Sequence, residues 1–352
     1  MRRLLALLLA CVFASASFAQ GYAPVVPGPK LAFPADFGAH PLHRIEWWYV
    51  TGQLDTPRGP MGFQVTFFRL RNKEADGNPS RFAPTQLLFA HAALADPKLG
   101  RLRHDERIAR GFAGLAEAKT GDTDVSIDDW SFRRVDGKYV ARLPGEQFTL
   151  DLTLAPTQQL LLQGDAGYSR KGPKPEQASG YYSEPHLAVS GLVTIGAEKL
   201  EAKGAAWLDH EWSSELLADT AVGWDWIGLN LEGGAALMAF RLRDAKGATV
   251  WAGGTQRAAG GKPRVFSREE VSFTPLRIWK SPRTGTAWPV AMAVRIAGEE
   301  WRVEPLMDDQ ELDARGSTGT LYWEGLVRAT GPNGATGRGY LELTGYAERL
   351  RF

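Results

Sequence analysis

From residue 45 to the C-terminus, apolar and polar residues alternate with period two in short runs. Clusters of Gly, Asn, Asp and Pro separate the runs. A period of two throws successive side chains to opposite faces of a strand, which argues against long amphipathic helices. Residues 45–54, 62–70, 86–94, 147–154 and 158–163 read as strands, and so do 189–195, 202–209, 226–231, 236–243, 290–296 and 339–346. One short helix is expected at 213–218. Many short strands between turns mean a sandwich or a barrel.

The chain also repeats itself over a long period. Glu46-Trp47-Trp48-Tyr49-Val50 matches Asp225-Trp226-Ile227-Gly228-Leu229: an acid, a Trp, then a strand. Each is followed by a second strand ending in Phe68-Arg69-Leu70-Arg71 or Phe240-Arg241-Leu242-Arg243. Near the far ends, Gly191-Leu192-Val193 matches Gly325-Leu326-Val327, and Gly204–Asp209 matches Gly337–Glu342. A repeat this long means two copies of one domain. The expected division is 40–215 and 220–352, after an extended, Pro-rich lead-in at 20–39. Each copy has room for an antiparallel eight-stranded barrel whose interior can hold a small ligand.

Strand alternation turns the repeat into a ruler for side-chain direction. Leu341 and Leu343 mark the inward face of the last strand. Transferred to the first copy, that face carries Leu208, His210 and Trp212, so His210 stands where the twin has leucine. Asp209 and Trp207 point the other way, outward or into the domain interface. Glu46 shares a face with Trp48 and Val50, and Asp225 with Ile227 and Leu229. A buried acid or imidazole must be paired, shift its pKa, or face water. Two readings stay open: Glu46 and Asp225 fix an arginine such as Arg69 or Arg241, or they serve a pocket. The stretch 204–231, with Trp207, Trp212, Trp224 and Trp226 beside Asp209, His210, Glu211 and Asp225, is expected to be a seam between barrels and a pocket wall.

The start of the chain has the form of an export signal. Met1-Arg2-Arg3 is a basic region, residues 4–13 are apolar, and Ser17-Phe18-Ala19 offers a cleavage site before Gln20. A lipoprotein signal ending at Cys11 is the rival reading. Cleavage after Ala19 removes the single cysteine, leaving a secreted or periplasmic protein held by its core and not by disulfides. A net charge of +1 with scattered Lys and Arg gives no basic face for nucleic acid.

Five motifs carry a resemblance: Glu46–Gly52, Phe89-Ala90-His91-Ala92, Tyr181-Tyr182, Trp207–Trp212 and Gly223-Trp224-Asp225-Trp226. They resemble the AttH/CrtC family of carotenoid 1,2-hydratases (hydroxyneurosporene synthases). The resemblance implies two tandem lipocalin-like antiparallel β-barrels packed side by side, an all-β fold. It also implies an apolar ligand, isoprenoid or polyene; hydration needs no redox cofactor, and Asp209-His210-Glu211, without a second close His, argues against a metal. Contact with a membrane surface stays open. Hydrating an isolated C=C bond needs an acid in an apolar pocket, aromatic faces to steady the cation, and a positioned water. The catalytic candidates are His210, Asp209, Asp225 and Glu46. Asp209 could orient the His210 ring only across a bulged strand. Trp48, Trp207, Trp212, Trp224, Trp226, His91 and Tyr182 are the expected pocket residues. The alternative is a non-catalytic periplasmic carrier of a hydrophobic molecule. An acyl hydrolase finds no Gly-x-Ser-x-Gly elbow here.

Overall fold

The computed structural model describes residues 21–350, so the expected signal sequence lies outside the described residues. Two antiparallel sheets account for nearly all regular structure, and there is no α-helix among the described residues. The first sheet runs, edge to edge, through Arg101–Arg110, Gln86–Asp96, Gly59–Arg71, Ile45–Thr56, Glu198–Ser213, Ala178–Ile195, Thr149–Ala155, Lys138–Pro144, Trp130–Val135, Asp124–Ile127 and Ala116–Ala118. The second runs through Pro263–Phe266, Thr249–Arg257, Ala236–Arg243, Gly223–Leu231, Thr336–Thr344, Thr320–Thr330, Glu299–Pro305, Ala287–Ile296 and Val271–Lys280. In both, the opening strand lies between the second strand and the closing strand. The two edge strands of each sheet are neighbours in the chain, and each sheet curls to bring its edges together. The architecture is a pair of nearly closed, lipocalin-like barrels.

Register bears out the facing but shifts the match by two residues: Trp48 pairs with His210 and Ile227 with Leu341, so His210 takes the place of Leu341 and Trp212 that of Leu343. Trp48, Val50, Leu208 and Trp212 belong to the first core, and Ile227, Leu229, Leu341 and Leu343 to the second. A third apolar cluster sits outside both, where Tyr49, Tyr181, Trp207, Trp226, Phe240 and Tyr340 meet between the barrels. Each strand at this contact is buried on both faces, one in a barrel and one in the seam.

Two expectations need correction. Residues 213–218 form no helix: Ser213 ends the strand Glu198–Ser213, and the following loop buries Leu216 and Ala218, with Leu216 at the seam. The strand expected at 158–163 is reduced to Leu161–Leu162, a short addition to the flank of Ala178–Ile195. The Pro-rich segment before residue 45 contributes to the core, since Phe37 and Ala39 pack into the first barrel.

The repeated acids are tied to the repeated arginines. Glu46 faces Arg69 across the first hairpin, with Oε2 2.8 Å from the guanidinium. Asp225 faces Arg241 across the second, at 2.6 Å, and also takes Arg243 at 2.9 Å. All are buried, so removing a cation strands a charge, at a cost of about 3–5 kcal/mol. Arg69→Met is therefore expected to lower unfolding free energy by about that amount in chemical denaturation. Arg241→Met is expected to cost a comparable amount, because each acid keeps a second partner, Arg243 beside Asp225 and His40 beside Glu46; a loss confined to one of the two variants would contradict this.

Candidate functional site

The first barrel's polar cluster is built around Glu46, which is fully buried. Its carboxylate accepts from Arg69, from the His40 backbone N–H at 2.9 Å, from His40 Nδ1 at 2.7 Å and from His210 Nε2 at 2.9 Å. Burial alone would raise its pKa. The hydrogen bonds from His210 and His40 and the Arg69 charge outweigh burial, so Glu46 stays ionised, well below the usual range. His40 sits between Glu46 and Asp36. Burial opposes its charge, but those two acids carry its pKa up to about 8. Its ring stacks on Trp212 with centroids 3.6 Å apart.

Burial moves His210 the other way, lowering its pKa and keeping the ring neutral. A neutral ring beside an ionised Glu46 carries its proton on Nε2. Nδ1, 3.1 Å from the Tyr182 hydroxyl, then accepts. Trp48 stacks on the same ring at 4.6 Å. His40, Glu46 and His210 offer three ligand atoms within 4.8 Å of one another, a spacing that a metal could use. The Arg69 guanidinium on the same carboxylate competes with any cation there, and both rings are already engaged. This cluster is a satisfied structural lock.

A different site lies on the outer faces of the barrels. A narrow cleft with about 70 Å³ of free space inside it runs along the seam. Trp47, Tyr49, Thr66 and Phe68 form its wall on the first barrel. Trp224, Trp226, Phe240, Leu242 and Tyr322 form the facing wall. Leu216 and Leu217, from the loop between the barrels, cover one side. Into this apolar slot project Asp209, Glu211, Glu324 and Glu342, with Lys171 as the cation.

Only one of these acids is ion-paired. Glu211 stands 2.9 Å from Lys171 Nζ, and that ammonium also lies 4.2 Å from the Phe240 ring centroid and 4.6 Å from that of Tyr181. Asp209 accepts from Tyr181 Oη at 2.6 Å, Trp207 Nε1 at 2.7 Å and Ser183 Oγ. Burial nevertheless raises its pKa to about 7, those three donors only moderating the rise. Trp226 Nε1 donates to Tyr181 in turn, at 3.1 Å. Glu324 and Glu342 stand directly opposite each other on adjacent strands. Like charges so placed in an apolar site cannot both ionise. Burial pushes Glu324 up to about 8. Burial and the Glu324 charge drive Glu342 well above its usual value, with a hydrogen bond from Trp224 opposing them. At neutral pH the pair holds a proton.

The sequence candidates divide between the two places. Asp209, Trp224 and Trp226 line the cleft. Trp207 lies behind it, holding Asp209. Glu46, His210, Trp48, Trp212 and Tyr182 belong to the barrel lock, and Asp225 to the arginine pair of the second barrel. Asp209 does not orient His210: the strand is regular there, and the two side chains point to opposite faces. His91 is buried near the seam, with Nε2 2.8 Å from Ser317 Oγ. Glu211 stood in the expected pocket wall; Glu324, Glu342, Lys171 and Tyr49 were not expected there. The signal of Glu324 and Glu342 was an acid interrupting an apolar run, as in Leu321-Tyr322-Trp323-Glu324-Gly325-Leu326-Val327.

The proton on Glu324 links stability to pH. Its folded pKa of about 8 lies above the unfolded value, so the folded state binds more protons in between. Stability from this group is whole below the unfolded pKa and is lost as pH rises through about 8. Glu324→Gln is expected to flatten the fall of melting temperature between about pH 5 and 8. An unchanged slope would show that Glu324 ionises normally.

The AttH-like family profile matches residues 24–346. The chain is similar to an AttH homologue from Nitrosomonas europaea, with 54% identity over 92% of this chain and 99% of that one, and a TM-score of 0.86. Its fold is shared with kievitone hydratase from Nectria haematococca, at 17% identity, TM-score 0.70, and coverage of 91% of this chain and 94% of that one. It is shared more distantly with CghA bound to Sch210972, at 14% identity, TM-score 0.52, and coverage of 93% and 97%. Among curated proteins none matches. The chain belongs to the AttH-like family.

Proposed function

We propose that this protein is a cofactor-free hydro-lyase that adds water across an electron-rich C=C bond of an apolar small molecule, of isoprenoid or polyene type, bound in the seam cleft. The observation that carries this reading is the opposed pair Glu324 and Glu342, which holds a proton among aromatic walls. A carboxylic acid kept neutral near pH 7 by an apolar site is a usable proton donor. In the proposed step the pair gives its proton to one alkene carbon, and the π electrons form the new C–H bond. The cation on the other carbon lies against the aromatic walls of the cleft, Trp47 and Trp226 among them. Water adds to it, and the proton it releases returns to the carboxylate pair. One water is consumed and the enzyme is restored. A relative of the same fold is named a hydratase, which supports the reaction class. The basic and apolar leader supports export, with the reaction in the periplasm.

Incubation with acyclic polyenes in oxygen-18 water is expected to give a labelled tertiary alcohol. Glu324→Gln should lower kcat by about 10²–10⁴-fold, the usual contribution of a general acid, without a lower melting temperature. Ligand-dependent quenching of tryptophan fluorescence with no labelled product would show a carrier instead.

A further inference from the structure

Two buried polar atoms at the cleft have neither a hydrogen bond nor an ion pair among the described residues. Tyr49 lines the cleft at 5% exposure, and its hydroxyl makes no hydrogen bond. Glu324 lines the same cleft at 3% exposure, and its Oε2 makes none. Buried polar atoms are satisfied in the great majority of cases, so each orphan calls for a partner from outside the chain. The other polar groups of the cleft are engaged: Asp209 by Tyr181, Ser183 and Trp207, Glu211 by Lys171, and the Thr66 hydroxyl by Gln64. The Tyr49 ring is held edge-on to Trp226, with centroids 5.6 Å apart, which fixes the direction of its hydroxyl. Glu324 is the leading charge acting on that hydroxyl, so the two orphans share one neighbourhood.

A purely hydrocarbon ligand would shut both atoms away from water and leave both unpaired, which is costly. We infer that the cleft takes an oxygenated apolar molecule, whose hydroxyl or carbonyl oxygen lies between the Tyr49 hydroxyl and the Glu324 carboxyl. Tyr49 is then a residue that sets specificity, recognising the oxygen and leaving the chemistry to the carboxyl pair. This deepens the hydration reading and rests on the same cleft, and it names the class of substrate.

Farnesene, farnesol and farnesal share one chain and differ in the terminal oxygen, so they serve as probes in tryptophan quenching. Tyr49→Phe is expected to weaken farnesol and farnesal about fivefold and leave farnesene within about twofold, the effect of one buried neutral hydrogen bond. Its melting temperature should not fall, because the variant removes an unsatisfied donor and keeps the ring. In the unmodified protein, the infrared C=O stretch of bound farnesal should lie below its value in hexane. Equal effects of Tyr49→Phe on all three probes, or an unshifted stretch, would overturn the oxygen assignment while leaving the cleft as a binding site. If none of the probes quenches and no polyene takes up oxygen-18, this inference and the hydration reading both fall.

Discussion

A carboxylate taken out of water must be given a cation and hydrogen bonds, or it must take up a proton. This fold uses both solutions, and the difference divides its structure from its candidate chemistry. Glu46 and Asp225 open the two barrels and are met by arginines from the next strand. These ion pairs pin the first hairpin of each copy. Glu324 and Glu342 have no such partner, and across one ladder they can settle only by keeping a proton. Asp209 lies between these extremes, ringed by neutral donors without a cation.

Strand alternation explains why the site is outside the barrels. Each strand offers two faces, and the inner ones are filled by the two cores. Where the barrels abut, the outer faces must be buried too. Trp and Tyr suit such a seam because each couples a large apolar body to one polar handle. Trp207, Trp226 and Tyr181 spend their handles on Asp209 and on one another. The result is a slot with apolar walls and a few converging acids, the usual make-up of a small-molecule site. The loop after Ser213 helps to close it, laying Leu216 and Leu217 over the cleft.

Much of the fold was legible in the residues. The acid-Trp opening, the Phe-Arg-Leu-Arg tail and the glycine-led closing strands located two copies, and the register of Trp48 with His210 and Ile227 with Leu341 bears out the inferred facing. The seam was foreseen through Asp209, Trp224 and Trp226. The carboxyl pair was not, because its meaning lies in register: Glu324 and Glu342 are far apart until two strands align them. Glu342 was seen between Leu341 and Leu343, but alternation alone cannot tell a solvent face from a second buried one. His40 and Asp36 were hidden for a related reason. They sit in an aperiodic segment whose place in the core is set by contacts with Glu46 nearby and with Trp212 far along the chain.

The central claim is that a proton resides on the opposed carboxyl pair at neutral pH. Carbon-13 NMR of side-chain carboxyl carbons, followed through a pH titration and assigned with Glu324→Gln and Glu342→Gln, reads it directly. The account predicts that one resonance of the pair keeps its protonated shift at pH 7 and changes only near pH 8 or above. If both carbons finish titrating in the ordinary carboxylate range, below about pH 5, the pair holds no proton and the account is contradicted.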